Sequence, residues 1–181
     1  MEREEETVKE ARYLIVVDMQ KDFIDGSLGT PEAVAIVPEV IRRIRRARDE
    51  GWTVIATQDT HGENYLDTAE GAKLPVVHCV KGTEGWRIPP EIADALGDSA
   101  VVEKPTFGSV DLPRRIAPAE ELTIELIGLC TDICVVSNAL LLKAHFPEAR
   151  MAVNSACCAG VTPEKHRAAL ETMASCQIDI L

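Results

Sequence analysis

Four apolar, mostly β-branched stretches of the chain each lead to side chains capable of chemistry. Tyr13-Leu14-Ile15-Val16-Val17 closes on Asp18. Trp52 to Ala56 is followed by Asp59 and His61, and Ala100 to Val102 by Lys104. Leu122 to Leu129 is followed by Cys130, Asp132 and Cys134. A carboxylate, an ammonium and a thiol are the parts of nucleophilic acyl chemistry: base, electrostatic partner and nucleophile. An acid that ends a buried strand costs desolvation unless it meets a cation, so an Asp18–Lys104 ion pair is expected on structural grounds alone. The functional reading adds Cys134. Asp18 takes the thiol proton and later gives it to a leaving amine, while Lys104 holds the carboxylate and lowers the thiol pKa.

Cys134 lies in Gly128-Leu129-Cys130-Thr131-Asp132-Ile133-Cys134, where a strand turns into a helix. Free N–H groups and the helix dipole there would lower the thiol pKa and stabilise an oxyanion. On position alone, a cysteine packed as a small hydrophobe is an equal reading. Cys130 competes for the nucleophile role but lies nearer the strand, where its side chain packs away. Cys157-Cys158 has no metal-ligand spacing, and Cys79 and Cys176 read as core or bystander residues.

Asp59-Thr60-His61, with Glu70 and His78 further along the same segment, offers carboxylates and imidazoles suited to zinc, iron or manganese. The alternative reading of this spacing is a set of solvated loop residues. His145 and His166 fall on helices and read as surface or packing residues. Neither the dinucleotide fingerprint nor the Walker pattern occurs, so nucleotide binding is not expected.

The elements that must position these groups alternate. Val37, Val40, Ile41, Ile44 and Ala47 recur at helical spacing, with Gly51 placed to end that helix. Thr131 to Ala144 reads as a buried helix, and Met151 to Val153 as a strand. Thr162-Pro163 opens a helix that runs to about Ser175, by its cap residue and first-turn proline, before a last strand from Gln177 to Leu181. Strand–helix alternation implies a parallel sheet covered on both faces. Two long connections, Met19 to Ile36 and Thr57 to Ile88, leave the C-terminal ends of strands, the edge where open α/β sheets bind ligands.

The chain has 181 residues, 46% hydrophobic, 27% charged and 4% aromatic, which suits one α/β domain with an aliphatic core. Its formal charge of -11 opposes nucleic acid and anionic membranes as partners. Arg42, Arg43, Arg45, Arg46 and Arg48 are expected on a solvated helix face. Residues 1–11 read as an acidic extension without a signal peptide's apolar region, and no transmembrane stretch occurs. A cytoplasmic location with reduced cysteines is the expectation.

These residues together resemble the isochorismatase-like cysteine hydrolases, and within them the nicotinamidases. Val17-Asp18-Met19-Gln20-Lys21-Asp22-Phe23 is similar to the family's first-strand motif, and Thr57-Gln58-Asp59-Thr60-His61 to its metal motif. His78-Cys79-Val80-Lys81-Gly82-Thr83 is similar to the segment bearing another metal histidine, Val102-Glu103-Lys104 to the lysine segment, and Gly128 to Val135 to the nucleophile motif. The resemblance spans Tyr13 to Leu181. It implies an α/β fold with a single-domain, six-stranded parallel sheet flanked by helices, a homo-oligomer, and a non-proline cis peptide before Cys130. It implies Asp18, Lys104 and Cys134 as the catalytic set, with the N–H groups of Cys130 and Cys134 as oxyanion hole. It implies one divalent ion, zinc first with iron or manganese as alternatives, on Asp59, His61, His78 and Glu70. Phe23 matches a ring-contacting aromatic, and Phe107 offers another wall. Many nicotinamidases carry a Trp three residues before the second metal histidine; here that place is Pro75, beside Leu74. The implied reaction is hydrolysis of nicotinamide to nicotinate and ammonia. The alternatives are a related cysteine amidohydrolase acting on another small amide or carbamoyl compound, and a non-catalytic metal or thiol-redox sensor.

Overall fold

The computed structural model describes residues 8–181. In chain order the elements are β1 (Val8–Val17), α1 (Lys21–Ile24), α2 (Pro31–Asp49), β2 (Thr53–Asp59), α3 (Ala69–Lys73), α4 (Pro90–Leu96), β3 (Ala100–Lys104) and β4 (Ala119–Leu129). After β4 comes a π turn (Thr131–Val135), then α5 (Val136–His145), β5 (Arg150–Ala159), α6 (Pro163–Ser175) and β6 (Asp179–Ile180). The six strands form one sheet in the order β3-β2-β1-β4-β5-β6, every pairing parallel. The order reverses between β1 and β4, which makes their C-terminal ends the switch point where such sheets bind ligands. This is the fold class the sequence predicts.

Strand periodicity divides the core in two. Ile15 and Val17 of β1 join Ile124 and Leu126 of β4 on the face covered by Ala139 and Leu142 of α5 and Met173 of α6. Leu14 and Val16 join Ile127 and Leu129 on the other face, under Val40 and Ile44 of α2 and Ile92 of α4. Both faces of a buried parallel sheet demand apolar residues, so the central strands read as continuous apolar runs.

Element boundaries differ from the sequence expectation in instructive ways. β1 begins at Val8, so residues 8–11 are strand and not extension; residues 1–7 of the expected extension lie outside the described residues. Val8 pairs with Ala119 and Glu10 with Glu121, ladder pairing that carries the two strands beyond the apolar core. β2 and β3 run on to Asp59 and Lys104, which are therefore strand residues. α2 begins at Pro31 rather than near Val37: Thr30 caps it by accepting from the Ala33 N–H at 3.0 Å, the same Thr-Pro device that starts α6. Gly51, with φ 75°, ends α2 as expected. Arg43 departs from its solvated neighbours. It turns inward to a bidentate pair with buried Glu125 at 2.7 and 2.8 Å, and its guanidinium stacks over Trp52.

β5 is longer than the apolar trio Met151–Val153 because of an irregularity. Leu126 pairs with Val153 but Gly128 with Cys158, so two steps of β4 answer five of β5. An odd number of extra residues inverts the side-chain parity. Cys158 therefore joins Met151 and Val153 on one face while Cys157 enters the opposite core. The vicinal thiols face different layers. The last strand shortens to Asp179–Ile180.

One glycine lets the switch point close. Gly128 has φ 119°, and a Cβ there would lie 2.1 Å from the Val17 carbonyl oxygen. Both the conformation and the contact exclude a side chain. Gly128→Ala is expected to cost more than about 3 kcal/mol, read from the midpoint of denaturant unfolding.

Candidate active site

Four strand ends converge at the switch point. Asp18 follows β1 directly and is fully buried, with φ 47°, in the left-handed region. Asp tolerates that region better than most residues. Thr57 on β2 fixes it: the Thr57 hydroxyl donates to Asp18 Oδ1 at 2.7 Å, and the Asp18 N–H donates to the Thr57 carbonyl at 3.2 Å. Lys104, from β3, reaches across β2. Its Nζ lies 2.7 Å from Asp18 Oδ2, 3.3 Å from Asp59 Oδ1 and 3.5 Å from Cys134 Sγ, and donates to the Thr106 carbonyl at 3.0 Å. Asp18, Lys104 and Cys134 are thus together, as the sequence predicts, and Asp59 joins them.

The electrostatics of this group follow from burial. Burial pushes the Cys134 thiol well above its ordinary pKa, and the neighbouring Asp18 carboxylate adds to that, with Lys104 opposing. The expectation of a lowered thiol pKa is therefore corrected for the resting site, where desolvation outweighs the cation and the turn. Burial likewise raises Asp18, against the pull of Lys104. Lys104 stays charged because Asp18, Cys134 and Asp59 together overcome its own desolvation. Burial and Asp132 push Cys130 up to about 12.

Cys134 belongs to the π turn that follows β4, after a cis Leu129–Cys130 peptide. The expected continuous helix from Thr131 is this π turn followed by α5. The Cys130 carbonyl accepts from the N–H groups of Ile133 and Val135 and skips the N–H of Cys134 between them. Among the described residues the Cys130 N–H donates no hydrogen bond either. The Cys130 N–H is thereby left beside the thiol without an acceptor. Asn138, buried in α5, braces the turn: its amide donates to the Cys134 and Phe107 carbonyls, and its oxygen accepts from the Ser109 N–H.

The candidate metal ligands form the second cluster. His61 Nε2 lies 2.9 Å from Asp59 Oδ2, and His78 Nε2 lies 3.6 Å from it. Glu70 Oε1 is 3.7 Å from each of the two Nε2 atoms. Asp59, His61 and His78 are buried and present their ligand atoms to one point. The set fits a divalent ion: His61 Nε2 is buried without a hydrogen-bond partner, and His78 engages the Val76 carbonyl through Nδ1 at 2.8 Å, which turns Nε2 inward. Burial raises Asp59, but the neighbouring His61 and His78 rings and the charge of Lys104 hold it well below the usual carboxylate range.

Several supporting residues carry no functional signal in the sequence reading. Gln20, fully buried after β1, accepts from the Asp59 N–H and donates to the Asp59 and Trp86 carbonyls. Asp22 accepts from the Cys79 N–H at 2.8 Å and so holds the His78 segment. Tyr65 packs its ring against both histidines, with centroids 4.8 and 4.9 Å away. A run of polar residues directly after an apolar strand is the signal that marks Gln20 and Asp22.

Both clusters open into one cavity of about 220 Å³, walled by Phe23, Leu28, Leu74, Phe107, Ile133 and Val161 with Asp59, Glu70, His78, Cys130, Cys134 and Lys165. Phe23 and Phe107 are wall residues, as expected. Cys79 is core and Cys176 exposed, and neither lines the cavity. Lys104→Met would strand Asp18 and Asp59 as buried carboxylates without a counter-charge. It is expected to lower unfolding stability by about 3–5 kcal/mol, checked by chemical denaturation.

Chains of known function share this arrangement of sequence and fold. The nicotinamidase/pyrazinamidase of Mycobacterium tuberculosis is 28% identical, over 94% of this chain and 98% of its own. The pyrazinamidase of Pyrococcus horikoshii in complex with zinc superposes with a TM-score of 0.79 at 29% identity, covering 96% and 98% of the two chains. N-carbamoylsarcosine amidase of Thermoplasma acidophilum superposes with a TM-score of 0.72 at 26% identity, covering 96% and 95%. The model of the isochorismatase domain matches residues 12–181, and the chain belongs to that family.

Proposed function

We propose that the chain is a metal-dependent cysteine amidohydrolase that converts nicotinamide to nicotinate and ammonia. The observation that carries this reading is the single buried ammonium of Lys104, in reach of a carboxylate base, a thiol and a metal-ligand carboxylate at once. The names of the mycobacterial and archaeal relatives supply the substrate class, and the apolar cavity of about 220 Å³ suits a small planar ring. A divalent ion, zinc by its donor set and by the archaeal relative, would be held by Asp59, His61 and His78 with Glu70 direct or through water. Bound there, it supplies a Lewis-acid contact for the ring nitrogen that orients the amide.

The chain's own groups perform the chemistry. Asp18 accepts the Cys134 proton as the sulfur attacks the amide carbon; burial raises the thiol, which holds its proton until then, and burial also raises Asp18, which makes it a stronger base. A C–S bond forms, and the carbonyl oxygen becomes an oxyanion facing the N–H groups of Cys130 and Cys134. Collapse breaks the C–N bond, and Asp18 returns the proton to the departing amine, which leaves as ammonia. A thioester remains on Cys134. Water then loses a proton to Asp18 and attacks the thioester carbon. The acid leaves, and the thiolate takes the proton back from Asp18. Lys104 holds the carboxylate in place through both half-reactions.

One departure favours a second reading within the same chemistry. Pro75 stands where many nicotinamidases carry a ring-stacking Trp, and Leu74 forms the wall there. A related small amide or carbamoyl compound would use the same thiol, base and oxyanion donors.

Ammonia release over a panel of small amides separates the readings, and no release from any amide overturns both. Cys134→Ala is expected to lower turnover by about 10⁴-fold or more, whereas Cys130→Ala, which keeps its backbone N–H, stays within about tenfold. Mass spectrometry of trapped intermediate should find the acyl group on Cys134; an adduct on Cys130 would mean the wrong cysteine. Chelation is expected to abolish turnover and zinc to restore it, with calorimetry reading one ion per chain. Full activity in metal-free protein would contradict the metal's role.

A further inference from the structure

His166 lies on α6, outside the cavity that holds the thiol, yet it touches the turn that carries Cys134. Thr131, the first residue of that turn, is fully buried. Its hydroxyl lies 2.8 Å from Nδ1 of His166. Among the described residues this ring nitrogen is the hydroxyl's one hydrogen-bond partner. A hydroxyl removed from water needs an acceptor for its proton. Nδ1 must therefore accept, and the ring must carry its own proton on Nε2.

A second tie fixes the same two segments. Asp132 Oδ1 accepts from the Val161 N–H at 2.9 Å. Between them, a Cβ on Gly160 would lie 2.8 Å from both Asp132 Oδ1 and the backbone nitrogen of His166, so the chain entering α6 packs closely on the turn that carries Cys134. The imidazole also borders a separate, open cavity of about 320 Å³, shared with Glu32 of α2 and Cys158 and Ala159 of β5. Solvent protons therefore reach the ring without passing the thiol.

We propose that His166 is a positioning residue for the amidase reaction. By accepting the Thr131 hydroxyl it holds the turn that presents the Cys134 sulfur, and protonation of its ring from the second cavity weakens that hold. A protonated ring donates from Nδ1 to the Thr131 oxygen instead, so the bond reverses and the buried hydroxyl hydrogen loses its acceptor. Burial holds His166 below its ordinary pKa, with Asp132 opposing and Arg167 adding to the effect. Glu32 and Cys158 line the same cavity. The neutral, accepting ring is thus the form present near neutrality. The proposal rests on the reading of Cys134 as nucleophile.

The test compares wild type, His166→Ala and His166→Asn, whose amide oxygen can stand where Nδ1 stood. With nicotinamide as substrate, His166→Ala is expected to lower kcat by about tenfold with KM nearly unchanged, and His166→Asn to recover to within about threefold. The acid limb of the wild-type kcat profile should move to lower pH in His166→Asn. Unchanged kcat in His166→Ala overturns the proposal. So does a folded His166→Asn protein as slow as His166→Ala, or an acid limb that does not move. Two further readouts need no turnover. Nitrogen-15 NMR of the ring should find the Nε2–H tautomer at neutral pH, and alkylation of Cys134 by iodoacetamide should change about fivefold in rate in His166→Ala. The other tautomer, or an unchanged alkylation rate, overturns the proposal. Absence of ammonia release in wild type instead overturns the amidase reading, and these two readouts still decide the role of His166.

Discussion

A lysine ammonium with almost no exposure to water is the constraint around which the rest of this molecule is arranged. An unpaired charge in that position would cost more than the fold could sustain. Lys104 is tolerated because two carboxylates, a carbonyl and a sulfur surround it within 3.5 Å. Those four partners come from four places in the chain: the end of β1, the end of β2, the loop after β3 and the turn after β4. Bringing them together requires the sheet to present these strand ends on one edge, and parallel strands in the order 3-2-1-4 do so. The ion pair and the topology therefore depend on each other.

The same ammonium joins two chemistries that would otherwise be separate. Asp59 gives one oxygen to Lys104 and turns the other to His61 and His78. A change at the candidate ligand cluster is therefore felt at Asp18, and a change at Lys104 is felt at that cluster. Gln20 ties the Asp59 backbone, Thr57 ties Asp18, and Asn138 ties the nucleophile turn. Gln20 and Asn138 act through backbone groups, and Thr57 bonds the Asp18 carboxylate itself. Each removes a freedom that would let the side chains drift apart, and a drift of about 1 Å is enough to cost reactivity.

Much of this was legible because burial writes itself into sequence. Continuous apolar runs mark β1 and β4 since both faces of those strands are covered, and a charged residue at the end of such a run has few places to go. Asp18 and Lys104 were legible for that reason, and so was the edge on which they meet. The boundaries were less so. Val8 to Glu10 pairs with Ala119 to Glu121 by ladder hydrogen bonding, and backbone pairing leaves no apolar pattern. β5 was truncated in the reading because its irregularity inverts the alternation at Asn154 to Ala156. The supporting side chains, Gln20 and Asn138, were illegible as functional residues because a buried amide is informative only once its partners are known. The resting thiol's raised pKa is not legible in sequence, because a turn's dipole is visible there while the degree of burial is not.

Burial and neighbours, not residue type, assign the roles of the six cysteines. Cys79 is buried below Asp22 and carries no reactive partner. Cys157 and Cys158 are driven into opposite layers by the parity change in β5, which keeps their sulfurs on different sides of the sheet. Cys176 is exposed. Cys130 lines the cavity, but burial and then the Asp132 anion disfavour its thiolate. Only Cys134 combines a place in the cavity wall with a carboxylate able to take its proton and a cation able to hold that carboxylate. A thiol whose resting pKa is raised can still be the nucleophile in that setting. In the proposed reaction the proton needs to leave only when the oxyanion donors and the departing amine are in place, and Asp18, raised by the same burial, is the group proposed to receive it.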